Sequence, residues 1–600
     1  MKRKITAIFL ILCMLTGICG CGKPPADSTG DADTDTDYTE NSENKKPDAQ
    51  NESKNDTEES TENDGGKAAS QTAGSDESAD KAQNEHGADD SDGIVTDTKT
   101  NGSYYDEYKY GLDSNNIGFI PDREISEYPG QGYESYAEID ENTFLSTLDY
   151  PLSSFAADAD TAAYPNVRRL LNDSKLKTAG KAARIEEMIN YFSYDYPEPK
   201  DGEPFSVTAE IFKCPWNSET DILKIGLKAS NPHTDKPAPS NLVFLIDVSG
   251  SMNTSDKLPL IKQAFLMLTE NLNEGDIISI VTYESDTNVL LDGAASNQVR
   301  QMQTAIGSLK AGGSTNGSQG LTMAYNIAKK HFIKGGNNRI IVATDGDLNA
   351  GITGESELRS FISDKRKSGI FLSIMGFGSG NVQDGKLEAL ADCGNGNYSF
   401  IDSIGEARRV LIEEKNATLF TVAKDVKFQT EFNPAKIKGY RLIGYENRAI
   451  KNEDFANDAR DGGEVGAGYA LTVLYEIAKT DSKQEIPSSG LKYQSEPNSK
   501  SDEFLTLSVR FKQPDGDKSQ LLAYPIDKNS VTENPSEDSI FAAAVAQFGM
   551  LLKDSEYTKN TSYNDIVNRI SGLDCVKNNE YKAEFLTLVK KAAQLKASGY

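Results

Sequence analysis

Between residues 241 and 412, short apolar runs alternate with stretches whose apolar residues recur at helical spacing. Leu242–Ile246, Ile277–Thr282, Arg339–Ala343, Ile370–Phe377 and Tyr398–Ile401 read as strands. Lys257–Asn271, Ser318–Phe332, Glu355–Lys367 and Gly405–Lys415 read as the helices between them. Strands covered on both faces need near-continuous apolar runs, so the pattern predicts a doubly wound, Rossmann-like α/β unit around a mostly parallel sheet.

The flanks follow a different period. Phe205–Phe212 and Asp221–Leu227 read as strands before the unit. Lys424–Phe432, Tyr440–Tyr445, Tyr469–Ile477 and Glu503–Phe511 read as strands after it, separated by Gly, Asn and Asp clusters. Strands on both sides predict an α/β unit inserted into a β-sandwich, with two separate sheets as the alternative. Thr143 to Tyr196 reads as helical, with Pro165 in a first turn and apolar residues at helical spacing through Arg184–Phe192. At the other end Ser539–Leu552 is apolar on most sides, as a buried helix would be, while Tyr563–Ile570 and Tyr581–Ala597 are amphipathic. These helices are expected to cap a neighbouring domain.

Composition adds an address. Lys2, Arg3 and Lys4 precede the apolar run Ile5–Leu15, the pattern of an export signal too short to span a bilayer. Ile18-Cys19-Gly20-Cys21 follows and resembles a bacterial lipobox. Cys21 fits because a small residue precedes it, whereas Cys19 follows Ile18 and fits poorly. The resemblance implies a lipid anchor on Cys21, placing the chain at the cell membrane on its extracytoplasmic face. From Gly22 to Tyr104 there are roughly fifteen more acids than bases and almost no large apolar side chains, a composition that cannot offset its chain entropy. It reads as an extended acidic tether. The whole chain of 600 residues carries a formal net charge of −29, which argues against nucleic acid as a partner. Cys214, Cys393 and Cys575 lack metal-ligand or redox spacing and read as buried or incidental thiols. The expected organisation is a signal over 1–20, a tether over 21–104, an N-terminal flanking region over 135–240, the α/β unit over 241–415, a β-rich domain over 416–535 and a helical segment over 536–600.

The chemistry gathers at predicted strand ends. The apolar run Leu242–Ile246 stops at Asp247, and Ser249 and Ser251 follow, one carboxylate and two hydroxyls at the sheet edge where α/β folds bind ligands. Gly312-Gly313-Ser314-Thr315-Asn316 precedes a predicted helix, and Thr344-Asp345-Gly346-Asp347 follows a predicted strand. All three loops fall on one edge and can converge. Oxygen donors of this kind suit hard cations such as Mg²⁺.

This combination resembles the von Willebrand factor type A domain with its metal-ion-dependent adhesion site. The resemblance implies that Asp247, Ser249, Ser251, Thr315 and Asp345 coordinate Mg²⁺ (or Mn²⁺ or Ca²⁺), and that a Glu or Asp of a partner protein completes the shell. It also implies that Gly312 and Gly313 let the second loop turn tightly, and that the helix near Gly405–Lys415 could pass a ligand-driven shift into the following β-rich unit. Asp347 reads as a solvated loop acid. Asn166-Val167-Arg168-Arg169, Arg184–Phe192, Cys214-Pro215-Trp216-Asn217, Tyr440–Arg448 and Phe541–Leu551 resemble the bacterial YfbK-type family of A-domain proteins, over about residues 140 to 600.

Catalysis would need a nucleophile or an acid–base pair beside a pocket. None of the three histidines, His86, His233 and His331, has such a constellation, and there is no phosphate-cradling glycine loop with Lys. The expectation is a non-enzymatic lipoprotein that binds a partner protein through a metal. The alternatives are a surface scaffold or assembly factor with a structural metal, and a solute-binding lipoprotein, although just one α/β lobe is visible.

Overall fold

A computed structural model describes residues 134–599, apart from 158–159, 232–237, 314–318, 347, 349–353, 416, 418–419, 459–461, 491–500, 515 and 517. The signal, Cys21 and the tether lie outside the described residues, as do Thr315, Asp347 and His233.

The described chain enters through strands β1 (Leu145–Ser146) and β2 (Leu152–Ala156), then helices α1 (Ala163–Asn172), α2 (Leu176–Ala182) and α3 (Ile185–Asn190). A hairpin follows, β3 (Phe205–Lys213) and β4 (Asp221–Ala229). The α/β unit runs through β5 (Ser240–Asp247), α4 (Leu258–Thr269), β6 (Ile277–Tyr283), β7 (Thr287–Ala295), α5 (Val299–Ser308) and α6 (Gly320–Lys330). It continues through β8 (Asn337–Thr344), α7 (Glu355–Arg366), β9 (Phe371–Phe377), α8 (Asp384–Cys393), β10 (Tyr398–Ile401) and α9 (Ile404–Arg408), which widens into a π turn over Arg409–Glu413. Strands β11 (Thr421–Phe432), β12 (Ile437–Ile443), β13 (Gly463–Gly466), β14 (Ala470–Lys479), β15 (Glu503–Lys512) and β16 (Ser519–Asp527) come next. Helices α10 (Glu537–Leu552), α11 (Tyr563–Ile570), α12 (Asp574–Lys577) and α13 (Glu580–Ala597) close the chain.

The α/β unit is a six-stranded sheet of order β10-β9-β8-β5-β6-β7. Every neighbour pair is parallel except β6 with β7. Alternate residues of the central strands serve two cores: Phe244 and Ile246 pack with α4 on one face, Val243 and Leu245 with α6 on the other. That double burial explains the continuous apolar runs.

The insertion is a matter of pairing. In the sheet of order β1-β12-β14-β4-β3, β4 from before the α/β unit pairs antiparallel with β14 from after it, Lys228 opposite Ala470 and Asp221 opposite Ile477. A second sheet, β13-β11-β15-β16 with β2 also on β11, packs against it around Phe205, Leu223, Ile225, Phe428, Val509 and Phe511. The regions expected as separate units over 135–240 and 416–535 therefore build one sandwich. The helical reading of Thr143–Tyr196 holds from Ala163 onward, but Leu145–Ser146 and Leu152–Ala156 are strands, their pattern too short to register a period until β12 and β11 pair with them.

The outer face of the first sheet carries the helices. Ile222, Ile443 and Leu474 point into a core shared by α1, α2 and α3 with α10, α11 and α13. Tyr164, Phe192, Phe541 and Phe585 meet there, with Phe192 5.0 Å from Phe541 and 5.5 Å from Phe585 between ring centroids. N-terminal and C-terminal helices thus form one layer. No helix among the described residues is long and apolar enough to cross a membrane.

Candidate metal centre

Strand β5 is buried along its whole length and ends at Asp247, 1% exposed. The chain then turns sharply. The Ser249 amide donates to Asp247 Oδ1 at 2.8 Å, a local turn that fixes the carboxylate, and Gly250–Asn253 form a 3₁₀ turn. Ser249 Oγ and Ser251 Oγ come to 3.0 Å of each other.

The second loop is hydrogen-bonded to the first. The Gly312 amide donates to the Val248 carbonyl at 2.8 Å, and the Gly250 amide to the Gly313 carbonyl at 3.3 Å. Gly313 has φ +71, a backbone conformation that favours glycine, and a Cβ there would sit 2.3 Å from Glu284 Oε2 at the end of a movable side chain. Gly312 has open space around it, so the tight-turn requirement falls on Gly313 alone. Thr315 lies outside the described residues, between this loop and α6.

The third loop reaches the first through a side chain. Asp345, directly after β8, is buried, and Lys257 Nζ donates to its Oδ2 at 2.9 Å and to the Ser251 carbonyl at 3.1 Å. Lys257 was legible in the sequence merely as the start of a helix. A lysine directly before the apolar Leu258–Ile261 run was the one available signal. Its stem passes over Gly378, which has φ +80 and where a Cβ would fall 2.4 Å from the lysine chain. Asn381 Nδ2 stands 3.5 Å from Asp345 Oδ1. The neighbouring loop also holds the start of the described chain. The Ser135 amide donates to the Val382 carbonyl at 2.8 Å, the Asp384 amide to the Ser135 carbonyl at 3.1 Å, and the Gly380 amide to Glu134 Oε1 at 2.9 Å. Burial alone would raise the Glu134 carboxyl, but Arg169 and the Gly380 amide hold it below its ordinary value.

These donors fit a hard divalent ion. Adjacent ligands of an octahedral ion with bonds of about 2.1 Å stand about 3.0 Å apart, and the two serine oxygens are already 3.0 Å apart. Asp247 and Asp345 bring two negative charges and Lys257 returns one, so a bound divalent ion would leave the cluster one unit positive, a charge that favours an incoming carboxylate. Among the described residues no three His, Cys, Asp or Glu side chains could together hold a metal, so the site depends on hydroxyls.

The last helix of the α/β unit is tied to the helical layer. Arg168 on α1 reaches Asp402 at 2.6 Å, Glu406 at 2.7 Å and Glu584 on α13 at 3.0 Å. Arg409 pairs with Glu406 at 2.8 Å and with Glu414 at 2.6 Å, and stacks 4.0 Å over the Tyr191 ring. Tyr191 Oη donates to Glu406 Oε2 at 2.7 Å. Burial pushes Glu406 up, but Arg409 and Arg168 together hold it below its ordinary value. The route expected from this helix into β11 rests on chain continuity; its buried charges also engage Arg168 of α1 and Tyr191.

Comparison with known proteins matches three family models: "von Willebrand factor" over residues 130–224, "von Willebrand factor type A domain" over 241–411, and "Uncharacterized protein YfbK, C-terminal" over 417–595. The uncharacterized protein YfbK of Escherichia coli (strain K12) is 41% identical over 473 residues, covering 77% of this chain and 81% of that protein. The uncharacterized protein sll0103 of Synechocystis is 30% identical over 189 residues, 31% of this chain and 43% of its own length. Inter-alpha-trypsin inhibitor heavy chain H3 of Homo sapiens is 27% identical over 194 residues, 30% of this chain and 20% of that one. Among solved structures, a von Willebrand factor type A protein from Catenulispora acidiphila is 16% identical with a TM-score of 0.37, covering 66% of this chain and 91% of that one. With an A-domain match over the α/β unit, a YfbK match over the C-terminal part and 41% identity across most of the Escherichia coli protein, the chain belongs to the YfbK family of von Willebrand factor type A domain proteins.

Proposed function

We propose that this protein is a lipid-anchored, extracytoplasmic binding protein that holds a partner protein through a divalent ion, Mg²⁺ ahead of Mn²⁺ or Ca²⁺. Asp247, Ser249, Ser251, Thr315 and Asp345 would hold the ion. The observation that carries this reading is the paired serine hydroxyls 3.0 Å apart at the end of β5, with the loops of Gly313 and Asp345 drawn onto the same turn. The A-domain match supports a protein-interaction role. When bound, the ion supplies an electrophilic position for a Glu or Asp carboxylate of the partner. Asp247 and Asp345 set its charge, the serines leave it under-neutralised, and Lys257 holds Asp345 in line.

Among the described residues the site holds no histidine or thiol: its side chains are carboxylates, hydroxyls and one ammonium already donating to Asp345. The one histidine among the described residues, His331, pairs with Asp292 at 2.7 Å. The lipobox-like Cys21 supports the anchor.

A pull-down from native extract with Mg²⁺, repeated in EDTA, tests the reading. The partner is expected to be lost in EDTA and to be absent with Asp247→Ala. Undiminished capture in EDTA would refute metal bridging and leave a scaffold role. Incorporation of labelled palmitate that survives Cys21→Ser would refute the anchor.

A further inference from the structure

On another sheet from the candidate metal centre, the helix-facing side of β4 carries Lys224 between Ile222 and Gly226. Lys224 is 4% exposed, yet its ammonium makes no hydrogen bond or ion pair among the described residues. Its cross-strand partner Glu210 is engaged elsewhere. Glu210 Oε2 accepts from the Ser536 amide at 3.0 Å, Ser536 Oγ at 3.1 Å and Ser539 Oγ at 2.6 Å, capping α10. Asp538 is taken by Lys582 at 2.8 Å and by the Asp195 amide at 2.7 Å. What Lys224 has instead is aromatic: Nζ lies 5.0 Å from the Tyr196 ring centroid and 6.0 Å from that of Tyr194. Tyr196 fits there because a Cβ on Gly226 would fall 2.3 Å from its ring. Burial pulls Lys224 below its ordinary pKa, against Glu210 and Asp538 and with Lys582.

A buried ammonium without an acceptor is costly, and this one opens onto a cavity of about 370 Å³, within the size range of small-molecule sites. Asp195, Thr208, Ser536, Glu537 and Cys575 complete its wall. Burial pushes the Cys575 thiol up to about 11, so it is no nucleophile at neutral pH. Among the described residues four acids line the cavity, Asp195, Glu210, Glu537 and Asp538, against the single cation Lys224. A polyanion would be repelled. A single carboxylate accompanied by a cation suits both the unpaired ammonium and the acidic rim.

We propose that this cavity is a second ligand site, in which Lys224 receives the carboxylate of a small amphoteric molecule, an amino acid or short peptide, whose ammonium meets the rim acids Asp195 and Glu537. Titration of the full chain with L-alanyl-L-alanine tests it, with acetate, ethylamine and inorganic phosphate as separate arms. The dipeptide is expected to bind about tenfold tighter than acetate or ethylamine, with no binding of phosphate. Lys224→Met should weaken the dipeptide about tenfold at a melting midpoint equal to or above that of the wild type, since it removes a buried charge the fold leaves unpaired. Peptide mass spectrometry after reductive methylation with formaldehyde and borohydride reads the wild-type chain directly. There the dipeptide should slow labelling of Lys224 by about threefold and leave exposed Lys596 unchanged. No dipeptide binding at about 10 mM, equal binding by Lys224→Met, tighter binding of phosphate, or unprotected Lys224 would each overturn the proposal.

Discussion

Two acids close strands on the same edge of the α/β sheet, and their surroundings could hardly differ more. Asp402, directly after β10, meets Arg168, with Glu406 and Arg409 completing a buried network. Asp247, at the end of β5, accepts from the Ser249 amide, the Ser249 and Ser251 hydroxyls pair just beyond it, and the nearest basic group of its site belongs to Lys257 and donates to Asp345. Guanidinium forks saturate carboxylates in two directions and leave no room for an ion. Hydroxyls and one point-charge ammonium leave coordination capacity unused. The same strand-end acid therefore closes a structural joint in one place and, on the proposed function, holds a cation in the other, and the difference lies in what faces it.

The largest expected effect probes the joint. Arg168→Met leaves Asp402 and Glu406 buried with less counter-charge and should cost about 3–5 kcal/mol in urea unfolding. Arg168→Lys should recover part of that, because a single ammonium cannot span three carboxylates as the fork does. Wild-type stability in Arg168→Met would make the network ornamental and erase the contrast. At the metal centre, Asp247→Ala should weaken Mg²⁺ binding about 100-fold by calorimetric titration, with the urea midpoint retained. Unchanged Mg²⁺ affinity would place the ion elsewhere.

A smaller change sharpens the role of the lysine. Lys257→Met removes the ammonium that holds Asp345 in line, so Mg²⁺ affinity should fall about threefold by calorimetric titration. A rise would mean that the repulsion between the ammonium and the ion outweighs the positioning. The smallest effect concerns pH. The Glu134 carboxyl is held below its ordinary value of 4.5, so its stabilising contribution is complete above that pH and is lost as pH falls through the lower folded value. Hydrogen-exchange protection factors of the Gly380 and Ser135 amides, corrected for the intrinsic rate at each pH, should fall about tenfold on acidification below that point in the wild type, and much less in Glu134→Gln. An equal fall in both would show that another group governs the contact.

Much of this arrangement was legible in the chain. The parallel strands announced themselves because both faces are buried, and Asp247, Ser249, Ser251 and Asp345 stood at readable strand ends. Edge strands were harder: β7 exposes Val289 and Leu290 and shows no clean alternation, and β16 exposes Leu521. Helices α5 and α8 also went unread. The sandwich could be anticipated but not decided, because β4 and β14 find each other across the whole inserted unit. Lys257, Arg168, Glu134 and Lys224 were opaque for one reason. Each takes its role from residues distant in sequence, which local periodicity does not encode.

The contact of residues 134–136 with the loop at 380–384 has a mechanical reading. Tension arriving along the chain before Glu134 meets two anchors at once, the Arg169 fork on α1 and the Gly380 amide beside Asn381. If a partner pulls on the ion from the other side, the stretched path between the two forces is a pair of short loops ending at Asp345. The α1 anchor passes the rest of the load to the helical layer and the sheet beneath it, so pulling on the N-terminal chain would be shared between the grip and the body of the protein.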